Sequence, residues 1–132
     1  MDSGLILFAH GARDVRWAEP FERLRTQVER RMPNARVALA FLEFCEPDLA
    51  QAALRMAEQG VLRIRIVPLF FGRGGHLRAD FPRQLNAVRA RLPQVQFDVT
   101  AAAGEDEGVL DALVAFAVEA PATPVKKTSS DS

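Results

Sequence analysis

The chain has one cysteine, Cys45. No internal disulfide can staple the fold, and the sequence suits a reducing compartment, the cytoplasm. It has no net charge: 17 lysines and arginines balance 17 aspartates and glutamates. That balance offers no global basic field for nucleic acid and no acidic tail. No apolar run approaches the roughly 20 residues of a membrane helix. The opening stretch, MDSGLILFAHGARD, carries an acid where a secretory leader carries basic residues. The P-loop pattern GxxxxGK[ST] is absent, and GRGGHL lacks the third glycine of GxGxxG, so no nucleotide cofactor is expected. Histidine is scarce too: His10 and His76 are the only two.

What is present is a globular composition. A hydrophobic fraction of 48% is enough for a real core, and 132 residues make one domain by length. The domain is expected over residues 1–119. A flexible tail, rich in Pro, Ala, Thr, Lys and Ser, is expected over 120–132.

Apolar runs alternate with helical spacings along the chain. Leu5 to Ala9 reads as a strand buried on both faces. Trp17, Phe21, Leu24 and Val28 recur at helical spacing, and Pro33-Asn34 ends that helix. RVALAFL predicts a second strand; Pro47 and Asp48 open a helix that Gly60 closes. VLRIRIVPLFF predicts a third strand. Phe81, Leu85, Val88 and Leu92 then mark a helix, with Asp80 as its cap and Pro82 in its first turn. That start leaves Gly72 to Ala79 as a long exposed loop. VQFDV is a fourth strand, and Leu110, Leu113, Val114 and Ala117 mark a last helix. The βαβαβαβα order predicts an α/β fold. It is a doubly wound four-stranded parallel sheet, order 2-1-3-4, with helices on both faces.

In such a sheet ligands bind outside the carboxyl ends of the strands, at the switch point between strands one and three. His10 follows strand one, and His76 lies in the loop after strand three. Both sit beside glycine, which lets backbone approach a ligand closely. Neutral imidazole is a ligand for divalent cobalt, nickel, iron or zinc, and a general base near neutral pH. Two histidines without a cysteine cluster make an open site suited to transient metal binding. Glu43, at the end of strand two, is the third candidate; it either faces the crevice or is a loop carboxylate or helix N-terminal charge beside Glu46 and Asp48. Asp14 is expected as a cap. Arg13, Arg16, Arg73 and Arg78 occupy the same two loops, and guanidinium forks suit a ligand with several carboxylates. Cys45 has no CxxC partner and reads as a small buried or semi-buried residue.

LILFAHGARD, FLEFCEPDLAQA and VPLFFGRGGHLRADFP, in that order, resemble the small CbiX-type sirohydrochlorin chelatases of the class II chelatase superfamily. The resemblance runs from Leu5 to Phe116. It implies a chelatase-like fold and ATP-independent insertion of a divalent metal into sirohydrochlorin, for cobalamin or siroheme synthesis. The metal is cobalt, or iron or nickel in some members, and enters as substrate. The resemblance implies that His10 and His76 handle the metal with Glu43 beside them. Arg13, Arg73 and Arg78 then meet the carboxylates of the tetrapyrrole, and Gly72, Gly74 and Gly75 approach its flat ring. It also implies a homodimer, with Phe44, Phe71 and Arg73 expected at or beside the two-fold interface. Two departures stand out: Ala12 replaces a serine common after the HG, and Arg73 is long where small residues are common. The rival readings are a metal or tetrapyrrole carrier without turnover, and a histidine phosphatase. The second lacks its arginine, because Ala9 precedes His10.

Overall fold

A computed structural model of the chain describes residues 2–72 and 75–125, with backbone alone for residues 75–78. Four parallel strands form one sheet in the order β2-β1-β3-β4: β1 (Ser3–Ala9), β2 (Arg36–Phe41), β3 (Arg63–Pro68) and β4 (Gln96–Val99). The central strand β1 pairs with both β2 and β3, so its Leu5–Ala9 run is buried on both faces. Ile6, Phe8, Ala40, Ile64 and Ile66 point to one face; Leu5, Leu7, Leu39 and Phe41 point to the other. This is the period of two that a pleated strand imposes. Burying each of these larger side chains contributes about 1.5–3 kcal/mol.

The helices follow from the same patterning. α1 (Glu19–Arg31) places Phe21 and Val28 on the Leu5 face, preceded by a short turn of 3-10 helix in which Asp14 accepts the Arg16 N–H. α2 (Leu49–Glu58) buries Leu49, Ala52, Ala53 and Met56 on the other face. Its start is a capping box: Asp48 accepts from the Gln51 N–H and the Gln51 side chain accepts from the Asp48 N–H, both at 2.8 Å. Gly60, at φ 91°, ends it in the left-handed region. α3 (Gly75–Arg91) packs beside α2 and lays Phe81, Leu85 and Val88 on the same core, with Leu92 following just past its end.

The start of α3 corrects the sequence reading. The helix begins at Gly75, so Gly75, His76 and Arg78 lie in its first turns rather than in a loop. Pro82 is interior to the helix, and Asp80 is no cap; its carboxylate meets the Arg83 guanidinium one turn on, at 3.0 Å. Proline favours a first turn because it lacks the N–H of the i→i−4 bond. Here that missing donor would have served the carbonyl of residue 78, and the core contacts of Phe81 and Leu85 on either side of Pro82 outweigh its loss.

The last helix, α4 (Glu107–Glu119), is capped by Asp106, which accepts the Val109 N–H, and it buries none of its residues. A single 3-10 turn, Ala103–Glu105, joins it to β4. Residues 126–132 of the expected tail lie outside the described residues.

Candidate metal and macrocycle site

The carboxyl ends of β1 and β2 lie side by side, Ala9 opposite Phe41. The chain leaves both strands with their backbones still bonded: Leu42 N–H donates to Ala9 O at 2.9 Å, and Glu43 N–H to His10 O at 3.1 Å. These two bonds bring the side chains together. His10 Nε2 lies 3.0 Å from Glu43 Oε1, with the two side chains 44% and 32% exposed. The pair is open to a ligand and only partly desolvated.

Gly11 makes the approach possible. Its φ is 97°, and a Cβ there would overlap the Glu43 carbonyl. Only glycine serves both needs. Opposite it, Phe44 adopts φ 68°, a conformation costly for an aromatic residue. Phe44 is 57% exposed, and the Arg13 guanidinium stacks on its ring 4.7 Å from the centroid. Cys45 is half-buried and its Sγ donates to Ala12 O at 3.1 Å, tying the two loops once more.

The floor is aromatic. Phe70, buried after β3, presents an edge to the His10 ring, 6.4 Å between centroids. Phe8 and Phe81 pack beneath it. Phe71 is exposed at the rim. Its backbone is clasped by Gly104, whose N–H donates to Phe70 O at 2.9 Å and where a Cβ would overlap Phe71. Gln84 donates to Leu42 O at 3.2 Å, pinning the β2 exit to α3.

The structure thus joins His10 to Glu43 and sets Arg13 beside them. Gly72 follows Phe71 at the rim and is exposed. Arg73 and Gly74 lie outside the described residues, as do the side chains of His76 and Arg78; Gly75 and His76 open α3 by backbone. Among the described residues no cluster of three His, Cys, Asp or Glu side chains forms. Arg16, named with the loop arginines, turns outward to Asp14, 2.9 Å away; that guanidinium lowers the Asp14 pKa from the ordinary carboxylate value. Phe70 and Gly104 were not singled out from sequence. The paired FF at the end of β3 is the only signal for the first, and nothing local marks the second.

A His nitrogen and a carboxylate oxygen about 3 Å apart have the spacing of two adjacent ligands at a right angle on one ion, given metal–ligand bonds of about 2.1 Å. The 3.0 Å contact is a hydrogen bond between the two side chains, and its spacing is also compatible with two ligands of one ion.

The chain is similar to several known proteins. The sirohydrochlorin cobaltochelatase of Sulfolobus acidocaldarius is 30% identical over 110 residues, 83% of this chain and 85% of that protein. The sirohydrochlorin ferrochelatase of Priestia megaterium is 37% identical over 76 residues, 58% of this chain and 29% of that protein. The crystal structure of a CbiX protein from Marinobacter aquaeolei matches with a TM-score of 0.78 at 33% identity, covering 89% of this chain and 95% of that one. Residues 4–120 match the family model CbiX, and the chain belongs to that family.

Proposed function

We propose that this protein is an ATP-independent chelatase that inserts a divalent metal, cobalt, into sirohydrochlorin. It works as a cytoplasmic homodimer of single domains spanning residues 1–119, with 120–132 as tail. The observation that carries the reading is the His10–Glu43 pair, 3.0 Å apart at the carboxyl ends of adjacent strands, in a chain of the CbiX family.

Insertion requires a metal held with open positions and removal of two pyrrole protons. At 3.0 Å His10 Nε2 and Glu43 Oε1 are within hydrogen-bond distance, and a proton on the imidazole nitrogen would be shared with the carboxylate. A metal ion entering that gap displaces it, because imidazole binds metal through a bare nitrogen. The two side chains supply two ligands and leave the remaining positions for ring nitrogens. As the metal passes to the ring, the freed pair takes one pyrrole proton and solvent water takes the other. His76, in the first turn of α3, is the second histidine of this site, and Arg13, Arg73 and Arg78 meet the ring carboxylates. Gly72, Gly74 and Gly75 keep the rim low. The Phe44 and Phe71 rings, both exposed, offer flat apolar surface to the macrocycle.

The test is the absorbance change of sirohydrochlorin on adding cobalt and catalytic protein, with iron and nickel in parallel because one relative's name pairs the ring with iron. Turnover above the uncatalysed rate that is lost in His10→Ala is expected. Stoichiometric binding without turnover would refute the chelatase reading in favour of a carrier.

A further inference from the structure

The metal site uses the carboxyl ends of the strands and leaves a second opening unused, along the outer side of the sheet. Strand β2 is an edge strand. Residues of its first half, of the end of α1 and of α2 enclose an open cavity of about 500 Å³ there. That is the size of a small-molecule site. Met32, Val37, Ala52 and Met56 make an apolar wall, and Arg36 and Arg55 line the same cavity. The Arg36 Nε is buried and has no hydrogen-bond partner among the described residues. A buried polar atom left unpaired is rare and asks for a partner. Arg55 is exposed on α2 and also has no carboxylate partner among the described residues. The one carboxylate of the lining, Glu29, is already held by the Arg25 guanidinium. Two positive charges thus stand uncompensated beside an apolar wall.

The strand edge adds a donor. Phe41 N–H leaves the sheet for Pro47 O at 2.9 Å. Backbone groups alternate along a strand, so Val37, four residues earlier, turns its N–H to the same outer side, where no strand pairs with it. We propose that this cavity binds a small amphipathic carboxylate. Arg36 and Arg55 hold its carboxyl group, and Met32, Val37 and Met56 cover its apolar body. A guanidinium takes a carboxylate or a phosphate through paired N–H groups. The wall decides between them: a phosphate ion leaves those side chains uncovered, whereas an acid on a hydrocarbon body removes them from water. Position separates this site from the metal site. Arg36 lies five residues before Phe41, about 16 Å along the strand, and the His10–Glu43 pair lies beyond Phe41. The proposal does not depend on the chelatase reading.

Amide NMR of the full chain with naphthylacetate, its neutral amide and inorganic phosphate tests this. Naphthylacetate is expected to shift the Val37, Ala52 and Met56 amides saturably, with a dissociation constant below about 1 mM. The neutral amide and phosphate should each bind at least about 10-fold more weakly. Arg36→Met keeps an apolar stem and loses the guanidinium, and should weaken naphthylacetate at least about 10-fold. Arg55→Gln, at an exposed position on α2, should weaken it at least about 3-fold and carries the test if circular dichroism shows Arg36→Met unfolded. His10→Ala should bind naphthylacetate like wild type. No saturable shift at these three amides up to about 10 mM overturns the site. Equal affinity for the acid and its amide, or wild-type affinity in both arginine variants, overturns the role of the guanidinium groups and the proposal with it. Phosphate binding as tightly as the acid overturns the amphipathic ligand. Naphthylacetate binding lost in His10→Ala assigns the acid to the metal site and overturns a second one. Cobalt insertion is measured separately, so an empty cavity leaves the chelatase standing and a chain without turnover leaves the cavity standing.

Discussion

Two glycines with the same backbone conformation make an internal control on the site. Gly11 has φ 97° and Gly60 has φ 91°. A Cβ at Gly60 meets nothing within 4 Å, whereas at Gly11 it overlaps the Glu43 carbonyl oxygen. Alanine at Gly60 therefore costs the left-handed backbone alone, about 1–2 kcal/mol. Alanine at Gly11 costs the same and must also push the two strand exits apart. That movement breaks the Glu43 N–H to His10 O bond, worth about 1 kcal/mol with further desolvation cost, and loosens the Leu42–Ala9 bond next to it. The expected loss is about 3–4 kcal/mol for Gly11→Ala against about 1–2 for Gly60→Ala. Urea titration with unchanged m-values reads the difference. Cobalt titration adds a second readout. Gly60→Ala should bind metal like wild type, while Gly11→Ala should lose at least about 10-fold in affinity because the His10–Glu43 spacing opens. Equal destabilisation by the two substitutions, or wild-type cobalt affinity in Gly11→Ala, would refute the argument that this glycine sets the pair.

Further outcomes follow from the same geometry. Glu43→Gln keeps the shape of the pair and removes its charge, and should weaken cobalt binding about 10–100-fold by calorimetry; an unchanged affinity would remove Glu43 from the site. Because protons compete with metal for imidazole, cobalt affinity should fall steadily between about pH 8 and about pH 5, and a flat profile would argue against a histidine ligand. Asp48→Ala removes the accepting half of a capping box and should cost about 1 kcal/mol in urea denaturation, with metal binding untouched. The Arg16 guanidinium holds the Asp14 pKa down, so Asp14 stabilises the fold above the ordinary carboxylate value and the contribution is lost as pH falls through its lowered value. Carbon-detected NMR titration of Arg16→Ala should show that pKa rise; no movement would contradict the assigned pairing.

Most of the fold was legible because it is written in periods. Leu5–Ala9 can be nothing but a strand buried on both sides, and the Phe81–Leu92 spacing survives whatever happens at its start. Caps were legible where one residue type does the job, as at Asp48 and Gly60. The start of α3 was misread because Pro82 was weighed locally. A missing N–H is a fixed cost, and core contacts made through Phe81, Leu85 and Val88 on a distant sheet offset it. Sequence spacing reports the cost and hides the compensation. α4 shows the opposite limit: its apolar residues announce a helix, but among the described residues nothing buries it, so the sequence pattern marks the helix and not what its face meets.

The site divides along the same line. His10 and Glu43 were nameable because each ends a strand, and in a parallel sheet consecutive exits share one edge. The switch point drew attention to β1 and β3, yet the contact described is between the exits of β1 and β2, whose pairing Ala9 to Phe41 sets the distance. What made that contact close was carried by residues with no chemistry of their own. Gly11 removes a Cβ, Phe44 tolerates a left-handed turn, and Gly104 clasps the backbone at Phe71 from the far end of the chain. Each acts by a steric allowance defined only against a partner distant in sequence. Reactive side chains advertise themselves by type, whereas the spacing between them is set by groups that are absent, and an absence has meaning only once the fold has placed something opposite it.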